Sequence, residues 1–190
     1  MFVLKKKYFF IIESIKDIEL KNIKNFGKYS VIYRNNAHEH IDKLKKFRSN
    51  CKTQKIPFFV ANNINLMNRL KADGLFISAH NKRLNLKNIR RNNLKIIGAA
   101  HNIKEINLKK LQGCSNIFLS RLFKTSYKNK KDYLGVIKFN LIAKSVKTSL
   151  TPLGGINLYN LNKLKIVKCE TVALSSLIKL EPVKALKSLK

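Results

Sequence analysis

The chain has 190 residues, 45% of them hydrophobic, and 40 Lys+Arg against 10 Asp+Glu, a formal net charge of +30. That length suits one domain, and the apolar content is enough for a core, which excludes extensive disorder. No apolar stretch reaches the roughly 18 residues of a membrane span, and the Tyr8–Ile12 run behind Lys5, Lys6 and Lys7 ends at Glu13, too short for a secretion signal.

In chain order, apolar runs of strand length fall at Tyr8–Ile12, Ser30–Tyr33, Pro57–Val60, Gly74–Ile77, Leu94–Ile97, Asn116–Leu119, Leu150–Leu153 and Thr171–Leu174. They are continuous rather than alternating, as parallel strands covered on both faces require. Between them, apolar residues at helical spacing predict helices over Asp17–Phe26, His38–Lys46, Ile64–Leu70, Ile103–Leu111, Lys138–Val146, Leu158–Ile166 and Pro182–Leu189. The interval from Ser78 to Asn93 holds barely two helical turns around Leu84, Leu86 and Ile89. Eight strand–helix units in this length allow about 24 residues each, near the lower size limit of a (β/α)8 barrel. No GxGxxG follows the first strand and no P-loop occurs, which disfavours an open doubly wound sheet. The expectation is one α/β domain over residues 1–190, a compact (β/α)8 TIM barrel.

Chemistry-bearing residues are unevenly placed along this pattern. Asp17, Glu19, Glu39, Asp42, Glu105 and Glu181 lie at or near helix starts, where the helix dipole favours them. Asp73 and Glu170 precede strands four and eight. Only Glu13 ends a strand at the rim where barrel active sites form, so chemistry needing two convergent carboxylates loses its support. His38, His40, His80 and His101 follow strand ends without metal-ligand spacing and read as solvated loop residues. Cys51, Cys114 and Cys169 are widely spaced, which excludes a disulfide framework and suits free thiols of a cytoplasmic protein. Arg34 and Lys128 make the rim basic, and Thr125 lies in the same loop as Lys128. Gly154-Gly155 after strand seven and Ser175-Ser176 after strand eight fall where this fold cradles phosphate.

The run Phe118–Lys128 (FLSRLFKTSYK), with Leu134-Gly135, Leu153-Gly154-Gly155-Ile156, Asn160 and Val172–Ile178 (VALSSLI), resembles the thiamine-phosphate synthase and thiazole tautomerase family. That family shows a run close to GLGPIFPTxTK, then Leu-Gly, a strand ending in GGI, and VAVxSAI. Val31–Arg34, Ala72–Ile77 and Ile96–Gly98 also match its strands, so the resemblance spans roughly residues 30–180 in order. It implies coupling of a pyrimidine diphosphate to a thiazole phosphate with release of pyrophosphate. On that basis Arg34 and Lys128 would neutralise the pyrophosphate, Thr125 would hydrogen-bond in the same loop, and Asn62 would face the diphosphate. Gly154, Gly155, Ser175 and Ser176 would hold the thiazole phosphate.

The chain also departs from the pattern. The two family aspartates expected to hold magnesium are Asn63 and Asn81, so any magnesium would be weakly bound. Ala79, Ala100 and Tyr127 replace polar family residues, Asn36 replaces a lysine, and Arg121 stands where the tautomerase carries its histidine. The expectation is a diverged synthase, with a non-catalytic binder of a phosphorylated ligand as the alternative. The charge of +30 also predicts nonspecific attraction of polyanions, which makes a basic nucleic-acid-binding protein the remaining reading.

Overall fold

The computed structural model describes residues 6–23, 27–34, 39–84, 94–125 and 132–188. Eight strands, β1 (Lys7–Ile12), β2 (Tyr29–Tyr33), β3 (Phe58–Ala61), β4 (Gly74–Ile77), β5 (Lys95–Ala100), β6 (Asn116–Ser120), β7 (Ser149–Leu153) and β8 (Thr171–Leu174), close into a barrel in sequence order. Every neighbouring pair is parallel, and the ring closes where Lys7 pairs with Thr171 and Phe10 with Leu174. All eight expected strands are present, shifted by three residues or fewer at their ends. The (β/α)8 barrel inferred from the sequence is the fold.

Alternation along the strands divides the core into two. One set of residues, including Tyr8, Phe10, Val31, Phe58, Leu75, Ile117 and Val172, packs outward beneath the helices. The other set, including Ile11, Ile32, Phe59, Phe76, Ile97 and Phe118, fills the barrel interior, with the rings of Phe76 and Phe118 at a centroid distance of 5.4 Å. The lowest inward position of each strand continues the same parity. It is occupied by Lys7, Ser30, Pro57 and Gly74 on the first half of the ring, and by Lys95, Asn116, Ser149 and Thr171 on the second. None is a bulky apolar residue.

The helices are α1 (Ile41–Thr53), α2 (Ile64–Arg69), α3 (Ile103–Leu111), α4 (Gly135–Ser145), α5 (Ser176–Leu180) and α6 (Pro182–Ser188). Two expectations are corrected. The segment expected as a helix over Asp17–Phe26 holds two short 3-10 turns, Ile15–Asp17 and Leu20–Asn22; residues 24–26 lie outside the described residues. Side chains claim its backbone donors: Asp17 accepts from the Glu13 and Ser14 N–H groups, Ser14 from Lys16, and Glu39 from Ile15. Backbone held this way is diverted from helix propagation. Likewise Leu158–Ile166 contains a 3-10 helix, Leu161–Ile166, rather than an α-helix.

Two buried cations fasten loops to the barrel. Arg48 donates to the Asp73 carboxylate at 2.9 Å while the other Asp73 oxygen accepts the Phe58 N–H at 2.7 Å, tying α1 to the starts of β3 and β4. Fully buried Lys109 on α3 donates to the carbonyl of Asn81 at 2.7 Å and to Gln112 at 2.8 Å; Gln112 in turn donates to the carbonyls of Asn81 and Arg83. The loop after β4 is therefore held through its backbone, a fixture that specifies nothing about the side chains the loop presents.

Candidate functional site

Because all eight strands are parallel, their C-terminal ends form one mouth, the end at which barrels of this fold build their sites. Arg34, Asn62, Asn63, Asn81, Gly154, Gly155, Ser175 and Ser176 all follow strands at this end. Thr125 belongs to the loop after β6; Lys128 lies outside the described residues. Arg34 is half-buried, and its N–H extends the β1–β2 ladder by donating to Ile12 at 2.9 Å.

The loops after β6 and β7 interlock. Leu122 donates to the Leu153 carbonyl at 2.9 Å and Phe123 to the Gly154 carbonyl at 3.1 Å. Gly154 and Gly155 have φ of +92° and +72°, the left-handed region that favours glycine. At Gly155 the need is steric as well, since an added Cβ would stand 2.2 Å from the Phe123 carbonyl oxygen. Asn160 accounts for its place in the family-like pattern: its amide donates to the Gly155 carbonyl at 2.8 Å, and Asn157 and Asn160 each accept the other's backbone N–H. Beside this fixed loop, the Thr125 hydroxyl is buried without a hydrogen-bond partner among the described residues. An orphaned buried hydroxyl marks a place where a ligand oxygen or water fits.

Ser175 precedes α5 and makes no side-chain cap, while Ser176 opens α5 and is exposed. Both hydroxyls therefore stand at the mouth uncommitted to the helix start. Glu13, the one carboxylate ending a strand here, accepts from Lys179 at 2.8 Å.

The three amides are engaged locally. Asn62, at φ +56°, accepts the Ser78 N–H at 3.0 Å; Asn63 is the N-cap of α2, accepting from Leu66 at 2.9 Å; Asn81 accepts from Arg83 at 3.1 Å. These are neutral oxygens already serving the backbone, and among the described residues no three His, Cys, Asp or Glu side chains gather as a metal site. A hard divalent cation is held by carboxylates and carbonyl oxygens converging on one point. Among the described residues, these amide oxygens do not make a carboxylate site for magnesium.

One pair escaped the sequence reading. Ser120, ending β6, lies 2.9 Å from His101 Nδ1 through its hydroxyl and 3.3 Å through its carbonyl, and the His80 ring is 6.3 Å from that of His101. His101 is thus oriented at the mouth rather than freely solvated. A clue was available in the FLSRLF run, where serine stands at a position the family pattern gives to glycine.

The comparisons agree with the barrel fold. Residues 16–178 match the family model described as thiamine monophosphate synthase. A thiamine-phosphate synthase of Prochlorococcus marinus subsp. pastoris is 30% identical over 144 residues, covering 74% of this chain and 40% of the relative. One from another Prochlorococcus marinus strain is 29% identical over 144 residues, covering 74% of this chain and 41% of the relative. The chain therefore spans less than half the length of the curated relatives it matches. Among solved structures, thiamine phosphate pyrophosphorylase from Pyrococcus furiosus superposes with a TM-score of 0.78 at 22% identity, over 98% of this chain and 94% of that one. The YdjI aldolase from Escherichia coli, at 8% identity and a TM-score of 0.64 over 97% of this chain and 85% of its own, shares the barrel alone. No helix among the described residues is long and apolar enough to cross a membrane. Barrel, motif order and family match agree: the chain belongs to the thiamine monophosphate synthase family.

Proposed function

We propose that the C-terminal mouth binds phosphorylated small molecules and couples a pyrimidine diphosphate to a thiazole phosphate, releasing pyrophosphate. In this step the bond between the pyrimidine methylene carbon and the diphosphate oxygen breaks, its electron pair leaving with pyrophosphate. The thiazole nitrogen supplies the pair for the new bond. The residues' work is positioning and charge neutralisation, where most of the barrier lowering in such transfers arises. Arg34 and Lys128 neutralise the departing diphosphate, while Asn62 and Thr125 donate hydrogen bonds to it. Gly154, Gly155, Ser175 and Ser176 cradle the thiazole phosphate.

The observation that carries this reading is the buried Thr125 hydroxyl, without a hydrogen-bond partner among the described residues, beside the Gly154-Gly155 loop. The mouth draws its charge neutralisation from Arg and Lys, because Asn63 and Asn81 offer neutral oxygens that already cap backbone. That same neutrality supports a second reading, in which the mouth binds a phosphorylated ligand without turning it over.

The decisive assay incubates the protein with the pyrimidine diphosphate, thiazole phosphate and magnesium salt and follows thiamine phosphate. Formation above the uncatalysed rate, lost in Arg34→Gln, is expected. No product at high enzyme, together with a thermal shift from thiazole phosphate, would replace the transferase reading by the binding one. Neither product nor shift would remove both.

A further inference from the structure

At the end of the barrel opposite the mouth, a cavity of about 940 Å³ opens among the strand starts. Its origin is the inward parity already described. Barrels of this fold fill their interior with layers of bulky side chains, chiefly branched ones. Here the middle layer is filled by phenylalanine and isoleucine, whereas the lowest layer holds small or polar residues at every strand. Five of those lowest positions, Lys7, Ser30, Pro57, Lys95 and Asn116, line the cavity. Its floor is the layer above, from which Phe9, Phe59 and Ile97 contribute apolar surface.

The chemistry of this lining is lopsided. Two lysines stand at its edge, both exposed, and no carboxylate is among the described lining residues. Asp73 lies close by in sequence, before β4, but its carboxylate is engaged by Arg48 and the Phe58 N–H. Glu170 precedes β8 and does not line the cavity. Asn116 is held in place, its Oδ1 accepting from Thr151 at 2.9 Å and its amide donating to Thr171 at 3.4 Å. The ring of Phe9 is only half-buried, although it lies 5.1 Å from that of Phe118 and 6.0 Å from that of Phe59 by centroid. An aromatic floor beneath a cationic, hydroxyl-bearing edge is the arrangement of small-molecule sites, which are mostly apolar with a few placed polar groups and span roughly 300–1,000 Å³.

We propose that this cavity is a second ligand site, binding an aromatic anion whose ring rests on Phe9 and Phe59. Its phosphate, sulfonate or carboxylate group pairs with Lys7 and Lys95 and accepts hydrogen bonds from Ser30 and Asn116. The site is separate from the mouth, because the packed layer of Phe76, Ile97 and Phe118 lies between the two ends. It rests on none of the residues assigned to phosphate binding there.

Isothermal calorimetry of the whole chain with naphthalene sulfonate tests this, using wild type, Lys7→Gln/Lys95→Gln, Ser30→Leu and Arg34→Gln. Saturable one-to-one binding is expected in wild type and in Arg34→Gln. Loss of the two ammonium groups should weaken binding about tenfold or more, a change of about 1.4 kcal/mol or more. Ser30→Leu, which fills the empty layer, should abolish it. Circular dichroism verifies that each variant is folded; the exposed lysines make the double variant the safeguard should Ser30→Leu fail to fold. Equal affinity in wild type and the double lysine variant would overturn the proposal, as would no saturable binding or loss of binding in Arg34→Gln alone.

Discussion

Gly155 and Phe123 approach so closely that a Cβ on the glycine would stand 2.2 Å from the Phe123 carbonyl oxygen and 2.6 Å from that of Lys124. Two backbones, not flexible side chains, meet there, so neither can yield without breaking the Phe123–Gly154 and Asn160–Gly155 hydrogen bonds. Gly155→Ala should destabilise the protein by about 3 kcal/mol or more, combining left-handed strain with displacement of the loop. Gly135→Ala has a similar φ of +70° but open space around it, and should lose only about 1 kcal/mol. Urea denaturation of the two variants reads the contrast; equal losses would mean that the close approach is not limiting.

The buried lysine of α3 has a pH signature. Burial lowers the Lys109 pKa, with Cys114 and Glu105 opposing that shift. A lysine with a lowered folded pKa binds fewer protons folded than unfolded between that value and the unfolded value of about 10.4, so its contribution to stability improves as pH rises through that interval. Stability of wild type relative to Lys109→Met should therefore grow as pH rises toward the unfolded lysine value of about 10.4, as followed by urea midpoints. A difference that stays flat would show that Lys109 keeps its ordinary proton affinity. Cys51 is not shifted by Lys109, so its contribution cancels in the comparison.

Those two thiols define a third expectation. Burial pushes both Cys51 and Cys114 up to about 12, and both are buried by the barrel's outer shell. Cys169 is only half-buried; burial raises its pKa too, but a hydrogen bond from Lys6 to its sulfur at 3.1 Å and the Lys6 charge oppose that rise. Thiolates rather than thiols react, so Ellman's reagent near pH 8 should titrate about one thiol per native chain and all three in denaturant. Cys169→Ser should remove the native reaction. Rapid labelling of Cys51 or Cys114 would contradict their burial.

How far the molecule was legible in advance differs between fold and site. Strands were readable because a parallel barrel under helices needs apolar residues on both faces, and runs such as Phe9–Ile12 and Phe58–Val60 have no other use. The helix expected after β1 failed because its signal was apolar spacing alone. Ile18, Leu20 and Ile23 are buried as that spacing implies, but by turns whose donors Ser14, Asp17 and Glu39 occupy. Asn63 illustrates a competing use of one residue: aligned with a metal carboxylate, it caps α2 instead. The Ser120–His101 contact joins residues 19 apart that meet only because β5 and β6 are neighbours, with Ala100 opposite Leu119. Such a pair follows from strand register, which no local pattern encodes.

The orphaned hydroxyl of Thr125 yields two effects of opposite sign. A buried hydroxyl without a partner among the described residues destabilises the empty protein, since its hydration is lost and nothing replaces it. Valine has nearly the same shape and no hydroxyl, so Thr125→Val should raise the unfolding free energy of the ligand-free protein by about 1 kcal/mol. If a phosphate oxygen accepts from that hydroxyl, the same change should weaken binding of inorganic pyrophosphate several-fold and shrink its thermal shift. A gain in stability together with a loss of affinity separates a binding group from a packing group. Thr125→Val with lowered stability and unchanged pyrophosphate affinity would show that the hydroxyl serves packing alone, and would remove the observation on which the phosphate-binding mouth rests.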